Sequence, residues 1–248
     1  MSNILFTICG RAGSKGCKNK NIRNFLGKPL FEYSIQAIKS FIELDKIECD
    51  IVVSTDSPEF IQMVNSKYSD IFVVNRSAEL SGDTIGKIDV IRDATTRSEI
   101  YFNKKYDFII DLDITSPIRT AQDIKNALSK AQDGSGYDCV FSVVKSRRNP
   151  YFNMIKFENG VYSRVLDSNF TSRQQAPQMY DMNASIYVYK NSFLLDINTH
   201  SPIQGKNGII EMFDTGIIDI DNPEDFELME HMAGYMKSHF EEYNKVLY

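Results

Sequence analysis

The sequence contains no apolar run approaching the roughly 18 residues that a membrane-spanning helix requires, and its first apolar stretch, residues 4–9, is too short for the core of a secretion signal. Neither membrane insertion nor export is expected, and a cytoplasmic location is. The 4 cysteines, Cys9, Cys17, Cys49 and Cys139, form no C-x-x-C pair, and the 3 histidines, His200, His231 and His239, complete no zinc spacing with them. Reduced thiols follow. Also missing are a G-x-x-x-x-G-K-[ST] loop, a G-x-G-x-x-G fingerprint, and any Ser/His/Asp or Cys/His set at informative spacing. A Walker loop, a dinucleotide fold and a nucleophilic triad are therefore not indicated. With 13 Gly and 7 Pro in 248 residues, the chain is far from disordered or collagen-like composition. A net charge of -5 and the lack of an aromatic-basic stripe argue against a general grip on nucleic acid.

What is present is a chain that is 42% hydrophobic and 25% charged, enough for a packed core in one large domain, residues 1–248. Residues 3–9 read as a buried strand ending at Gly10. Helical spacing follows Pro29 (Phe31, Ile35, Ile38), and residues 51–53 repeat the strand signal. A helix starts at Pro58, and residues 71–74 form another apolar run. A helix over 89–101, a strand over 106–114, a helix over 123–131 and a strand over 139–144 continue the alternation. Residues 185–189 and 216–221 read as further strands. Asn222-Pro223-Glu224-Asp225 then opens a last helix whose stripe is Phe226, Met229, Ala233, Met236 and Phe240. The pattern predicts an α/β fold, a Rossmann-like, mostly parallel sheet flanked by helices. Residues 145–182 lose the alternation and predict a small inserted β-rich lobe.

Charge is unevenly placed. Arg11, Lys15, Lys18, Lys20, Arg23 and Lys28 all precede Glu32, the first acidic residue, so a basic, glycine-bearing turn follows the first strand. Glycine admits close approach of backbone N–H groups to an oxyanion, and the fixed cations neutralise it. Phosphate fits best, and a solvated basic loop is the plain alternative. Near the other end, Asp219 and Asp221 stand two apart on an expected strand, with side chains on one face about 6.5–7 Å apart. Such a pair suits a Mg²⁺ shell completed by phosphate oxygens and water. A strand-end turn with a helix cap at Asp221 accounts for the same residues. Asp111 and Asp113 repeat the spacing. Arg173, Lys145, Arg147 and Arg148 crowd the inserted lobe, where a guanidinium could hold a carboxylate bidentately.

These residues resemble a known family, the acylneuraminate cytidylyltransferases. The likeness lies in Arg11-x-x-Ser14-Lys15-Gly16 with Lys20-Asn21, then Gly27-Lys28-Pro29-Leu30 and Ser54-Thr55-Asp56. It continues in Thr115-Ser116-Pro117-Ile118-Arg119, Arg173-Gln174, Met182-Asn183-Ala184 with Tyr187, and Asp219-Ile220-Asp221. The resemblance runs the length of the chain. It implies a Rossmann-like domain whose small lobe makes a homodimer, and a reaction of CTP with a nonulosonic acid, using one or two Mg²⁺, that yields a CMP-sugar and pyrophosphate. It further implies that Arg11, Ser14, Lys15, Gly16, Lys20 and Asn21 hold the triphosphate, that Arg76, Ser81 and Asp83 lie near the cytidine, and that Asp219 and Asp221 hold metal. Asp113, Arg173, Asn183 and Tyr187 would meet the acceptor, and Arg11, Lys20 and Asp221 would carry the catalysis. No nucleic acid or membrane partner is implied.

The chain departs from the common sialic acid pattern at Cys9-Gly10-Arg11, where many relatives carry Pro-Ala-Arg. It departs again at Asp113, where they carry Gln, and at Asn183-Ala184, where Asn-Gly is frequent. With Arg147-Arg148-Asn149-Pro150-Tyr151-Phe152, these changes look like the branch acting on legionaminic acid or a similar bacterial nonulosonate. Two rival readings stand beside this one. A GT-A-like glycosyltransferase also joins an α/β sheet to D-x-D, but here the basic glycine-rich loop comes first and the D-x-D near the end, an order that suits a free triphosphate better than a nucleotide diphosphate-sugar. The other is a catalytically silent nucleotide-binding module.

Overall fold

The structure, a computed structural model, describes residues 2–13, 16–82, 84–213 and 219–247. In chain order the elements are β1 (Ile4–Cys9), β2 (Asn24–Phe25), β3 (Lys28–Pro29), α1 (Phe31–Asp45), β4 (Asp50–Thr55), α2 (Pro58–Lys67), β5 (Phe72–Asn75), α3 (Lys87–Tyr101) and β6 (Phe108–Leu112). They continue with α4 (Ala121–Ala131), β7 (Cys139–Lys145), β8 (Ile155–Glu158), β9 (Val161–Arg164), β10 (Tyr180–Lys190), α5 (Asn191–Leu194), β11 (Asn207–Glu211), α6 (Pro223–His239) and α7 (Glu241–Asn244). Seven strands form one sheet in the order β11-β7-β10-β6-β1-β4-β5. All neighbours are parallel except β10, which runs antiparallel to β6 and β7. The expected mostly parallel α/β sheet is what forms.

Burial on both faces explains the continuous apolar strands. Along β1, Ile4, Phe6 and Ile8 enter one core cluster with Phe31, Phe41 and Phe226, whereas Leu5 enters the other with Ile91 and Tyr189. Strands covered on both sides need no polar face. Helix starts follow side-chain chemistry. The Ser57 hydroxyl accepts from Phe60 N at 3.3 Å, with Pro58 opening α2, and Thr120 with Asp123 closes a capping box on α4. On α6 the box is Asn222 with Asp225. The Asp225 carboxylate accepts from both Asn222 N and Asp221 N at 3.1 Å, which fixes the backbone just ahead of the helix.

Two readings need correction. The sheet takes its last strand from residues 207–211, a short edge strand with exposed Ile209 and one strand neighbour. Asp219, Ile220 and Asp221 lie in irregular chain rather than on a strand, and 216–218 lie outside the described residues. The alternation that imitated a strand arises because Ile220 is fully buried while both flanking carboxylates face outward. The stripe of α6 holds at Phe226, Met229, Ala233 and Met236, but Phe240 is half exposed at the cap. Of residues 145–182, Lys145 and residues 180–182 belong to strands of the main sheet, and the segment between them carries a β-hairpin, β8 with β9, whose Ile155, Phe157, Val161 and Tyr162 are each more than 60% exposed.

The chain runs from β1 outward through β4 to β5, then returns to place β6 on the other side of β1. At such a switch point the loops leaving the two strands part and open a crevice at their carboxyl ends. Two contacts shape its rim. Gly16 lies so close to the carbonyl of Asp221 that an added Cβ would stand 1.9 Å from its oxygen. Arg119, wholly buried, donates through Nε and Nη2 to Ser116 O and through Nη2 to Asp113 O, clamping the loop after β6.

Gly16→Ala is expected to force the two segments apart and to cost about 1–3 kcal/mol, the usual scale of overpacking, read as a lower denaturation midpoint. Arg119→Met keeps the volume but leaves buried carbonyls unpaired at about 1–3 kcal/mol each. Chemical denaturation should show it to be the more damaging of the two.

Candidate active site

The crevice has a volume of about 320 Å³, and its lining gathers Gly10, Arg11, Lys20 and Asn21 from the loop after β1, Arg76 from beyond β5, Asp113 and Thr115 from beyond β6, and Asp219 from the segment before α6. A larger cavity, of about 1070 Å³, opens beside Asn3, Phe108, Tyr137 and Lys190. Charged residues line it too, Asp45, Glu48, Lys104 and Lys190 among them, but it stands at the opposite end of the strands from the carboxyl ends where ligands of such sheets gather. The smaller crevice is the candidate site.

The early loop is fixed from several sides. Gly10 N donates to Ser54 O at 3.0 Å, Ala12 N to the Asp56 carboxylate at 2.7 Å, and Asn21 Nδ2 to Arg11 O at 3.1 Å. Gly10 is required here, because a Cβ would stand within 3 Å of Ile114, Asn21 and Phe60. Lys20 reaches across the crevice: Nζ donates to the carbonyl of Ile220 and lies 3.7 Å from the Asp221 carboxylate. The basic turn and the late aspartates therefore share one site. Arg76 is buried, donating to Ser54 O at 2.7 Å and to Ser54 Oγ at 3.3 Å. Ser14, Lys15 and Asp83 lie outside the described residues.

The floor is ionic. Lys87, the first residue of α3, places Nζ 2.8 Å from Asp111 Oδ2 and 2.5 Å from Asp113 Oδ2. Asp113 Oδ1 accepts from Thr115 N at 3.1 Å and Thr115 Oγ1 at 2.8 Å. Burial by itself would raise the Asp113 carboxyl, but Lys87 and Thr115 outweigh it and hold the group well below the usual carboxylate range. Burial would likewise lower Lys87, and the two aspartates hold it well above its ordinary value. Asp219 shifts the other way, raised chiefly by burial and then by the negative charge of Asp113. Cys9 is pushed up by burial and by Asp111, so its thiol stays protonated.

The remaining expected residues stand outside that lining. Arg173 Nη2 donates to Ser146 O at 2.7 Å, tying the inserted segment to the end of β7. Asn183 is buried, its Oδ1 accepting from Ser142 Oγ at 2.6 Å and its Nδ2 facing Met212 Sδ at 3.3 Å. Tyr187 stacks on Tyr189 and presents its ring 5.5 Å from Lys87 Nζ, and burial pushes its hydroxyl up to about 12. Ser81 Oγ turns back to donate to Ser77 O at 2.9 Å. Lys87 and Thr115 are members of the site to which sequence reasoning gave no role. A lone lysine behind Gly86 carries no local signal, and only the packing of α3 against β1 and β4 brings it over Asp111 and Asp113.

Residues 5–247 match the model of a family described as cytidylyltransferase. The chain is 42% identical over 233 residues to post-translational flagellin modification protein B of Campylobacter coli, covering 94% of this chain and 95% of that one. It is 41% identical over 234 residues to the CMP-N,N'-diacetyllegionaminic acid synthase of Campylobacter jejuni, with the same coverage of each. Among solved structures, CMP:2-keto-3-deoxy-manno-octonic acid synthetase complexed with CTP superposes with a TM-score of 0.65 over 94% of this chain and 99% of that one, at 14% identity, a likeness of fold alone. Since the family match spans nearly every described element, and two relatives above 40% identity run the length of the chain, this protein belongs to the cytidylyltransferase family.

Proposed function

We propose that this protein transfers the cytidylyl group of CTP to the anomeric hydroxyl of a nonulosonic acid of the legionaminic or sialic type, releasing pyrophosphate, and that it does so in the cytoplasm, where CTP is made. The observation that carries this reading is the meeting of Lys20 with Ile220 and Asp221 across the crevice that Arg11 and Arg76 line. Such a place concentrates positive charge on a polyphosphate while keeping carboxylates beside it. The legionaminic branch rests on the relative of that name and on the Asp113, Cys9 and Ala184 departures.

The donor set fits a divalent ion. Asp219 and Asp221 offer hard, exposed oxygen ligands at the crevice rim next to Lys20. Mg²⁺ bound there would withdraw charge from phosphate oxygens during the transfer. Arg11, Lys20 and the loop around Gly16 would seat the triphosphate, and Arg76 would lie toward the cytidine with Ser81 and Asp83. The acceptor oxygen forms a bond to the α-phosphorus as the bond to pyrophosphate breaks, and its proton departs. Both carboxylate oxygens of Asp113 are already engaged, by Lys87 and by Thr115, so its role would be to orient. Catalysis is then positioning and electrostatics. Asp113, Arg173, Asn183 and Tyr187 would serve the acceptor side, Arg173 from the inserted segment of residues 145–182.

A second chain completes the assembly in this reading. The exposed apolar side chains of the β8–β9 hairpin, Phe157 and Tyr162 among them, would pack in a homodimer.

Pyrophosphate should appear from CTP only when a nonulosonate is added, and release independent of the acid would exclude the reaction. Asp219→Asn should lower kcat by about 100-fold or more, the scale seen when charge stabilisation at a transition state is lost, and chelation of divalent ions should abolish turnover until Mg²⁺ is restored. Lys20→Ala should chiefly raise the KM for CTP. Phe157→Asp with Tyr162→Asp should sediment as a monomer, whereas a dimer that survives both changes would remove the hairpin from the interface.

A further inference from the structure

The second D-x-D of this chain, Asp111-Leu112-Asp113, ends β6 and opens onto the same crevice as Asp219. Its two carboxylates converge on one point, and an ammonium already stands there. Asp111 has no solvent exposure and spends Oδ1 on the hydroxyl of Thr7 at 2.7 Å. Its Oδ2 and the Oδ2 of Asp113 converge on Lys87 Nζ at 2.8 and 2.5 Å. A divalent ion at that point would need oxygens at about 2.0–2.1 Å and would expel the ammonium from both partners, leaving a cation without counterions. Lys87 cannot easily withdraw. It begins α3, whose Ile88, Ile91 and Ala94 are buried in the sheet, and the Tyr187 ring stands 5.5 Å from Nζ.

We propose that Lys87 is a positioning residue that acts as a built-in cation, taking the place of a second divalent ion at Asp111 and Asp113 and leaving the divalent ion to Asp219 and Asp221. The last clause rests on the metal role proposed above; the first does not. Lys87 thereby holds Asp113 turned toward Thr115 and keeps the floor of the crevice electrically quiet, so that added metal stays at the rim with the triphosphate.

The test counts Mn²⁺ bound per chain, from the paramagnetic resonance signal of the free ion, with no nucleotide present. Lys87→Ala should bind one ion more than the unaltered chain, and adding Asp113→Asn to it should remove that ion. A folded Lys87→Ala chain with an unchanged count would overturn the inference. Because exposing Asp111 to a missing partner can impair folding, the unaltered chain supplies an independent arm. In it Asp113→Asn should leave the number of bound ions the same, and a loss of one ion would overturn the inference equally. Asp219→Asn reports separately on the rim site. If it fails to lower the count while Lys87→Ala still raises it, the metal assignment to Asp219 falls and the role of Lys87 stands.

Discussion

A lysine ammonium held against a main-chain carbonyl 200 residues further along the chain is the contact on which this site depends. Lys20 bridges to Ile220 and Asp221, and Gly16 packs against the Asp221 carbonyl with no room for a side chain. Both ends are braced independently. Asp56 and Ser54 hold the early loop, and the Asp225 cap of α6 holds the later segment. Further along the same seam, Arg23 lies over the Phe226 ring at 4.3 Å, and Leu26 N donates to Glu230 at 2.6 Å. The loop after β1 thus reads as one piece with α6, although neither could place the other alone.

Under that seam the crevice rests on buried polar groups rather than on apolar packing. Asp111 and Arg119 have no exposed surface, and each is tolerable only because partners are fixed around it. Arg119 spends Nε and Nη2 on loop carbonyls while its Nη1 stays buried without a hydrogen-bond partner, and Lys87 spends its charge on two carboxylates. Misplacing either would expose or orphan several groups at once, so the floor favours a single arrangement. Rigid positioning of this kind is what a reaction governed by orientation and charge requires.

Several parts were legible beforehand, for physical reasons. Strands buried on both faces must be continuously apolar, which is why residues 3–9 and 139–144 could be read as such. Capping residues announce helix starts, so Pro58 and Asn222 marked α2 and α6. The edge strand over residues 207–211 escaped notice because a short strand with one partner needs little apolar character. The segment holding Asp219 and Asp221 imitated a strand because burying Ile220 between two outward carboxylates produces the same alternation.

By itself the sequence determined the α/β class, the basic, glycine-bearing turn and the spacing of the aspartates, because those follow from local periodicity and from residue chemistry. Tertiary structure alone decided which pair of aspartates a lysine occupies from both sides. Asp111 with Asp113 and Asp219 with Asp221 are alike as written, but the packing of α3 delivers Lys87 to the first pair, while Lys20 leaves the second at the crevice rim. Proximity between charges distant in sequence is set by how helices and strands pack, and no local pattern encodes it.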